Sequence, residues 1–210
     1  MLKGVGHIFI TFEGGEGSGK STQIQMLLEY LQDAGHDVLC LRDPGGTFIS
    51  EKIREILKDT DNAAITQKTE AMLYLAARSQ MFDELLKPCL DRGGIVICDR
   101  YSDSTVVYQG YAGGINLDML KAFCIFASNG LEPDLTFYLQ LDPVLGLERK
   151  KCQGELDRTE LKGFEFHKQV ADAYDMEAKK HPKRIKTIDA TLPPEEIASI
   201  IIKYVNKLLK

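Results

Sequence analysis

The sequence predicts an α/β protein in which a mostly parallel sheet is covered by helices on both faces. Short apolar runs rich in β-branched residues alternate along the chain with longer stretches whose apolar residues recur at helical spacing. The run at residues 95–98 contains no charged residue, as expected of a central strand that is buried on both faces. The 210 residues, 44% of them hydrophobic and 27% charged, suffice for one domain with a sizeable core.

Each predicted strand is a short, mostly apolar run that ends at a polar or turn-forming residue. The first run leads into a glycine-rich segment, the second into Arg42-Asp43-Pro44, the third into Asp99 and the fourth into Asp142. The carboxyl ends of parallel strands meet at one edge of a sheet, where ligands of such folds bind, so these residues are expected to lie together. The predicted strands are residues 7–12, 36–41, 95–98, 135–141 and 184–188.

The predicted helices follow from apolar residues three and four positions apart and from residues that start or stop a helix. Gly35 is expected to end the first helix, and Asp142 is expected to cap the helix that Pro143 begins. Ile49 and Ile56 belong to the predicted apolar face of the second helix. The predicted helices are residues 22–34, 47–59, 67–90, 117–127, 143–151, 164–180 and 193–209, with helix or turn at 102–111 and a mobile polar loop at 153–163.

The most specific local pattern is Gly14-Gly15-Glu16-Gly17-Ser18-Gly19-Lys20-Ser21, which fits the P-loop pattern G-x-x-x-x-G-K-[ST] at every fixed position. It lies between a predicted strand and a predicted helix, as a phosphate-binding loop requires. Its glycines allow backbone N–H groups to point at phosphate oxygens, and the helix N-terminus adds partial positive charge. Lys20 would reach the β- and γ-phosphates, and the Ser21 hydroxyl would contact Mg²⁺. A chance glycine-rich turn needs neither the Lys-Ser pair nor the flanking elements.

Asp99 and three arginines are the other candidates for chemistry. Asp99 closes the third strand, where a P-loop site needs a carboxylate for Mg²⁺, although a strand-end aspartate can also simply cap a turn. Arg42, Arg78 and Arg100 are candidates for binding a second phosphate or an acceptor. Tyr74 precedes Arg78 by one helical turn, so the pair could hold a planar base; a surface arginine beside a core tyrosine fits the same spacing.

A basic helix end flanks the polar loop at residues 153–163. Arg149, Lys150 and Lys151 precede the loop tip and Arg158 follows it. This arrangement suits a lid that closes over transferring phosphates and excludes water, and it equally suits a solvated charged turn.

Composition limits the partners and the compartment. The net charge of −5 argues against bulk nucleic-acid binding, and no apolar run is long enough to span a bilayer. The five cysteines are scattered, and Cys40 and Cys98 lie in predicted strands, where buried thiols are expected. With no signal-peptide pattern at the N-terminus, a reducing cytoplasmic location is expected.

The motifs in combination resemble thymidylate kinase of the bacterial type, a family of P-loop nucleoside monophosphate kinases. The resemblance implies one domain over residues 1–210 with a three-layer P-loop fold, a five-stranded parallel sheet and a small lid at about residues 149–163. It implies transfer of the γ-phosphate of ATP to dTMP with Mg²⁺, giving dTDP and ADP in dTTP biosynthesis. It also implies a homodimer, for which helices 67–90 and 117–127 offer candidate surfaces. The segments that carry the resemblance are FEGGEGSGKST (12–22), RDPGGT (42–47), YLAAR (74–78), DRY (99–101), ST (104–105), YQG (108–110), PDLT (133–136) and GELDR (154–158).

The resemblance also implies roles for individual residues. Arg100 contacts the acceptor phosphate, Arg78 and Tyr74 hold the thymine, and Tyr108 crowds the sugar 2′ position and so favours deoxyribose. The implied donor-binding residues are Gly14, Gly15, Glu16, Gly17, Ser18, Gly19, Lys20, Ser21 and Thr22, and the implied metal residues are Ser21 and Asp99. The implied acceptor-binding residues are Glu16, Arg42, Asp43, Pro44, Tyr74, Arg78, Arg100, Ser104, Thr105, Tyr108 and Gln109. The implied catalytic residues are Lys20, Arg100, Glu16, Arg149, Lys151 and Arg158.

Two positions depart from the family pattern. Asp43 stands where this branch usually has Glu, and its shorter side chain favours contacts bridged by water. Gln153 stands where an arginine usually precedes GELDR, so Arg149 or Lys151 must supply the lid cation. Two alternative functions remain: a kinase for another deoxynucleoside monophosphate, and a P-loop ATPase or switch without an acceptor site, against which Arg100 and the Tyr74–Arg78 pair argue.

Overall fold

The computed structural model describes residues 7–152, 154 and 156–209. Among these residues, five parallel strands form one sheet in the order β2-β3-β1-β4-β5. The predicted α/β fold and all five predicted strands are confirmed. The strands are β1 (Ile8–Glu13), β2 (Val38–Arg42), β3 (Ile95–Asp99), β4 (Leu135–Gln140) and β5 (Ile185–Asp189).

Helices connect the strands close to the predicted positions. The long helix predicted at 67–90 consists of a helix at Gln67–Met81, a π-helical turn at Phe82–Leu86 and a short helix at Lys87–Asp91. The segment predicted as helix or turn at 102–111 is a short helix at Ser102–Thr105 that is continued by a π-helical turn at Val106–Tyr111. The helices are α1 (Lys20–Asp33), α2 (Phe48–Lys58), α3 (Gln67–Met81), α4 (Lys87–Asp91), α5 (Ser102–Thr105), α6 (Leu117–Ala127), α7 (Pro143–Lys151), α8 (Phe164–Lys180) and α9 (Pro194–Leu208), with one 3₁₀ turn at Thr60–Asn62.

The core lies on both faces of the sheet. Ile10 and Phe12 of β1 pack on one face in a cluster that includes residues of α1 and α9. Phe9, which alternates with them, packs on the other face against Met81 of α3 and Cys98 of β3. Because side chains alternate along a strand, a β1 that is buried at all six positions packs against helices on both faces of the sheet, as a three-layer arrangement requires.

The carboxyl ends of three strands meet as predicted. Asp99 of β3 lies in register between Arg42 of β2 and Phe12 of β1. The chain continues to pair beyond the strands, since Asp43 N donates to Asp99 O at 3.0 Å and Arg100 N donates to Phe12 O at 2.9 Å. The ends of β1, β2 and β3 therefore form one edge from which functional side chains can project.

Two predicted helix boundaries are confirmed, one by hydrogen bonds and the other by the backbone conformation. Asp142 Oδ1 accepts from Val144 N at 2.8 Å and from Leu145 N at 3.4 Å, so Asp142 caps α7. Gly35 follows the last turn of α1 with a φ of 84°, the left-handed conformation that glycine adopts without strain.

Burial was predicted wrongly at three positions. Cys40 is exposed, because β2 is an edge strand with one side open. Ile49 and Ile56 of α2 are 48% and 45% exposed, so the core does not cover the whole apolar face of that helix.

No helix in the described part of the chain is both long and apolar enough to cross a bilayer.

Candidate active site

A cavity of about 360 Å³ opens at the carboxyl edge of the sheet. The P-loop lines one end of the cavity, Asp99 and Arg100 lie between the ends, and the side chains of α3 and α5 line the other end. The structure thus brings most of the predicted site residues to one place. Those lining it are Glu16, Gly17, Ser18, Gly19, Lys20, Ser21, Thr22, Arg42, Asp43, Pro44, Tyr74, Arg78, Asp99, Arg100, Ser104, Thr105, Tyr108 and Gln109.

The P-loop depends on glycine for its shape. Gly14, Gly17 and Gly19 have φ values of 137°, 66° and 87°, which other residues adopt only with strain. Gly17 also lies against α7 so closely that a Cβ atom there would be 2.2 Å from the carbonyl oxygen of Gly146. The P-loop and α7 are therefore packed backbone to backbone.

The N-terminus of α1 faces the cavity and suits an anion. Its N-cap is Gly19, which offers no side chain to accept from the first N–H groups, and no acidic residue lies in the first turn. Lys20 Nζ donates to the carbonyl oxygens of Gly15 at 2.8 Å and Gly14 at 3.2 Å. Burial and the charge of Arg100 lower the pKa of Lys20. These groups place unpaired N–H donors and a cation where a phosphate can bind.

Arg100 joins the P-loop to the rest of the cavity. Its backbone is left-handed, with a φ of 68°, a conformation that costs a non-glycine residue about 1–3 kcal/mol. Its Nη1 donates to Gly14 O at 2.8 Å, and its Nη2 donates to Glu16 Oε1 at 2.7 Å. The guanidinium also lies 5.1 Å from the centre of the Tyr108 ring. Strain at such a residue is consistent with a functional constraint on where its side chain points.

Glu13, which was not predicted as a site residue, supports Arg100 through two hydroxyl groups that contact both side chains. Its carboxylate accepts from Tyr101 N at 2.8 Å, from Ser104 Oγ at 2.6 Å and from Tyr174 Oη at 2.8 Å. Both hydroxyls also contact Arg100 Nη1, at 3.3 Å and 3.2 Å. Burial, with a smaller contribution from Asp103, raises the pKa of Glu13 to about 7. The signal in the sequence was an acidic residue that ends an otherwise apolar strand.

Arg78 and Asp43 form a buried pair at the far end of the cavity. Arg78 Nε donates to Asp43 Oδ2 at 2.5 Å, and both side chains are 1% exposed. The alternative of a surface arginine at position 78 is therefore wrong, and the shorter Asp43 reaches its partner without a water. Arg78 Nη2 also donates to Thr105 Oγ1 at 2.7 Å. Burial alone would lower the pKa of Arg78, but the Asp43 carboxylate outweighs it and raises that pKa.

The side chains between Arg100 and Arg78 complete the wall. Tyr108 Oη donates to Glu16 Oε1 at 3.2 Å, and Gln109 Nε2 donates to Glu70 Oε1 at 2.9 Å. Tyr74 is half-buried, and burial raises its pKa to about 12, so its hydroxyl stays protonated at neutral pH. The wall thus carries two aromatic rings and an amide, which suit a planar ring with polar edges.

Asp99 and Ser21 can hold a magnesium ion. Asp99 Oδ1 is buried and has no hydrogen-bond partner in the structure. The carboxylate and the Ser21 hydroxyl both line the cavity beside the P-loop. Mg²⁺ retains several waters and needs only one or two protein oxygens besides phosphate, so the absence of a three-residue ligand cluster among the described residues does not conflict with it.

The predicted lid cations are in different environments. Arg149 and Lys151 are both exposed and neither lines the cavity, but Arg149 Nη1 lies 3.5 Å from Gly17 O of the P-loop. Arg158 also does not line the cavity: its guanidinium is buried against other elements, with Nε donating to Leu57 O at 2.9 Å and Nη2 to Glu70 Oε2 at 2.5 Å. Gln153 and Glu155, on which the comparison of lid sequences depended, lie outside the described residues.

Three basic residues that line the cavity were not selected as site residues from the sequence: Arg54, Lys58 and Lys150. Lys150, rather than Lys151, contributes to the wall and forms an ion pair with Glu160 at 3.4 Å. Arg54 of α2 also lines the cavity and donates from Nη1 to Pro44 O at 3.0 Å. Arg54 is a half-buried arginine on the helix that follows Arg42-Asp43-Pro44, but its spacing alone gives no sign of the cavity.

Known proteins with similar sequences are thymidylate kinases. The family model for thymidylate kinase matches residues 12–201. The chain is 41% identical to the thymidylate kinase of Exiguobacterium sp. over 203 residues, which cover 97% of this chain and 96% of the relative. It is 44% identical to that of Clostridium novyi over 191 residues, which cover 90% and 93% of the two chains.

A solved structure of the same family has a similar fold. The crystal structure of thymidylate kinase from Ehrlichia chaffeensis superposes with a TM-score of 0.78 at 32% identity, covering 95% of this chain and 98% of that one. The phosphate-binding loop, the buried arginine pair and the aromatic wall thus occur in a chain that matches this family over nearly its whole length. The chain belongs to the thymidylate kinase family, the ATP-dependent kinases that phosphorylate dTMP to dTDP.

Proposed function

We propose that the enzyme transfers the γ-phosphate of ATP to the 5′-phosphate of dTMP inside the cavity described above, with ATP at the P-loop end and dTMP at the Arg78 end. The observation that carries this assignment is the position of Arg100. Its guanidinium lies between Gly14 of the P-loop and the side chains of Tyr108 and Ser104. A cation at that point can contact both phosphates that react.

The donor end binds the triphosphate through backbone N–H groups and Lys20. Gly14 through Thr22 supply the loop and the first turn of α1, with the N–H donors uncapped by any side chain. Lys20 neutralises charge on the β- and γ-phosphates. Asp99 and Ser21 hold Mg²⁺, which when bound neutralises phosphate charge. The partnerless Asp99 Oδ1 supports this role.

The acceptor end binds the nucleoside of dTMP. Arg78 has two N–H groups beyond those bonded to Asp43, Thr105 and Cys124, and these can meet a carbonyl oxygen of the base. Tyr74 stacks on the ring, and Gln109 and Thr105 line its edge. Arg42 and Pro44, beside Asp43, form the opposite wall. Tyr108, held by Glu16, lies against the sugar and disfavours a 2′-hydroxyl.

Catalysis then requires positioning and charge neutralisation rather than a base. The attacking atom is a phosphate oxygen, which is already largely ionised at neutral pH. Arg100 holds the acceptor phosphate against repulsion by the γ-phosphate, and Glu16 restrains Arg100 from the P-loop side. Arg149 is the best-placed lid cation, because it already contacts the P-loop, while Lys151 is a second candidate and Arg158 anchors the lid.

An acceptor panel tests this proposal. ADP release would be measured with ATP and Mg²⁺ and with dTMP, dUMP, dGMP, dCMP or AMP offered separately. We expect rapid turnover with dTMP and slow turnover with the others. Preference for a different monophosphate would retain kinase chemistry and contradict the base assignments, and slow ADP release independent of any acceptor would indicate an ATPase or switch.

A homodimer is also proposed, through the outer faces of α2, α3 and α6. These helices pack side by side and expose large apolar side chains, including Phe126 at 83% and Phe48 at 75%. Exposed apolar residues concentrated on neighbouring helices are typical of an interface. The sequence pointed to α3 and α6 but not to α2. The exposed apolar residues on these three helices are Phe48, Ile49, Ile56, Met72, Met119, Ile125 and Phe126.

Light scattering over a range of protein concentrations tests the dimer. We expect the mass of two chains for the wild type and the mass of one chain for Phe126→Glu at the same concentration. Leu208→Glu, which changes an exposed apolar residue of α9, is the matched control and should remain dimeric. A wild type that is monomeric at every concentration would exclude this interface.

A further inference from the structure

Glu70 of α3 is a buried carboxylate to which the proposed mechanism gives no role. Its side chain is 1% exposed, and it precedes Tyr74 by one helical turn and Arg78 by two. Its oxygens accept from three side chains that come from two other parts of the chain. Buried carboxylates are rare unless they are paired, so the identity of the partners indicates what Glu70 holds together.

The geometry at Glu70 is specific. Oε1 accepts from Gln109 Nε2 at 2.9 Å and from Lys162 Nζ at 3.0 Å. Oε2 accepts from Arg158 Nη2 at 2.5 Å and from Lys162 Nζ at 3.1 Å. Burial would raise the pKa of Glu70, but Gln109, Lys162 and Arg158 together lower it, so the group is ionised at neutral pH. One carboxylate thus pairs with two cations and also accepts a hydrogen bond from one amide.

Two of these partners belong to the segment that follows the lid tip. Residues Asp157, Thr159 and Glu160 of that segment line the cavity. Glu160 in turn pairs with Lys150 of α7 at 3.4 Å. Because Glu70 binds Arg158 and Lys162 on either side of Thr159 and Glu160, it fixes the wall that the lid segment contributes to the cavity.

The third partner, Gln109, lines the cavity at the base end. Its amide nitrogen is committed to Glu70, so its carbonyl oxygen is the group left to meet a ligand. A carbonyl oxygen accepts from a base edge that carries an N–H group. Thymine has such a group at ring position 3, where cytosine has a nitrogen without hydrogen.

We propose that Glu70 is a positioning residue for base selectivity, which orients the amide of Gln109 and at the same time anchors the lid segment through Arg158 and Lys162. This inference deepens the proposed function and rests on it, since it assumes that the base lies against Gln109. Glu70 itself does not contact the substrate and acts through its three partners.

The test is Glu70→Gln, which keeps the shape of the side chain and removes its charge. The amide at position 109 is then free to turn, so the preference for dTMP over dCMP, as a ratio of kcat/KM values, should fall about tenfold. The KM for dTMP should rise about ten- to hundredfold, because the lid wall loses its anchor, while the KM for ATP changes little. Unchanged preference and unchanged KM for dTMP would overturn the proposal.

Glu177→Gln is the matched control. Glu177 of α8 is 2% exposed and accepts from Tyr111 Oη at 2.8 Å and Lys180 Nζ at 3.1 Å, but neither it nor these partners line the cavity. This variant should lose stability without changing the dTMP preference. If both variants change the preference equally, the effect is one of stability and Glu70 has no special role.

A double-mutant cycle with Gln109→Leu distinguishes action through the amide from a general effect. If Glu70 acts through Gln109, the double variant should lose no more dTMP preference than Gln109→Leu alone, whereas additive losses would refute this route. If Glu70→Gln does not fold, Lys162→Met removes one partner at a 19% exposed position and should raise the KM for dTMP; an unchanged value overturns the anchoring role. A wild type that prefers another monophosphate would instead overturn the proposed function itself.

Discussion

At the donor end of the cavity the wall is mostly backbone, and at the acceptor end it is mostly buried charge. The P-loop takes its shape from glycines, and Gly17 packs against Gly146 of α7 with no room for a side chain. The acceptor end is held by the pairs Arg78–Asp43 and Arg158–Glu70, each joining two separate elements. The donor end should therefore be intolerant of an added Cβ atom, and the acceptor end should be intolerant of a lost charge.

Arg100, which lies between the two ends, should give the largest effect. Arg100→Ala is expected to lower kcat by about 10³-fold, because the acceptor phosphate loses its cation. ATP binding, measured directly by calorimetry, should survive, because the P-loop keeps its own donors. An equal loss of ATP binding would contradict the assigned role. Arg92→Ala, which removes an exposed pair with Asp37, should change neither quantity.

Asp43→Asn tests the charge dependence of the acceptor end. It leaves the buried guanidinium of Arg78 without a counter-charge, so the free energy of unfolding should fall by about 3 kcal/mol and the KM for dTMP should rise. Urea denaturation and steady-state kinetics measure the two effects. Asp91→Asn, which breaks a pair with Lys87 whose side chains are 38% and 44% exposed, should cost less than about 1 kcal/mol. Similar losses in both variants would remove the distinction between the two ends.

Gly146→Ala tests the backbone packing of the donor end. A Cβ atom at this position would lie 2.3 Å from the carbonyl oxygen of Glu16, so the loop or α7 must shift. We expect a loss of about 2 kcal/mol in the free energy of unfolding, together with weaker ATP binding. Gly163→Ala, where no atom lies within 4 Å of the added Cβ, should not weaken ATP binding. Wild-type stability and ATP affinity in Gly146→Ala would show that the contact is not tight.

The pH dependence of stability sharpens the comparison further, because Glu13 and Glu16 lie close in sequence and have opposite pKa shifts. Burial raises the pKa of Glu13 from 4.5 to about 7, so this group removes stability as pH rises from 4.5 to 7. Burial opposes ionisation of Glu16 too, but Arg100 and Lys20 lower its pKa to about 2, so its contribution is present above pH 4.5 and is lost below it.

Two neutral variants separate these contributions. Relative to the wild type, Glu13→Gln should gain stability between pH 4.5 and 7, by at most about 1.4 kcal/mol per pH unit. Glu16→Gln should lose stability relative to the wild type at neutral pH, and this deficit should shrink as the pH falls below 4.5. Urea denaturation at a series of pH values measures both slopes, and parallel profiles for the two variants would contradict the assigned directions.

Sequence reasoning succeeded where a pattern is local. The P-loop and the capping role of Asp142 followed from spacing and residue type, because both depend on adjacent residues. The meeting of strand ends at Asp99 followed from the general rule that the carboxyl ends of parallel strands share one edge of a sheet. It failed at Cys40, Ile49 and Ile56, whose burial depends on neighbours far along the chain. The spacing of apolar residues alone cannot distinguish an edge strand from a central strand, or a helix face that packs on the core from one that forms an interface.

The sequence by itself determined the α/β fold and the phosphate-binding loop, since hydrophobic periodicity and glycine placement act over short distances, and its motifs in combination indicated the family by resemblance. Only the tertiary structure decided which charges are paired. Arg78 with Asp43, Arg158 with Glu70 and the support of Arg100 by Glu13 join residues 35, 88 and 87 positions apart. Spacing along the chain does not encode such contacts, because the packing of the helices around the sheet sets which buried charges meet.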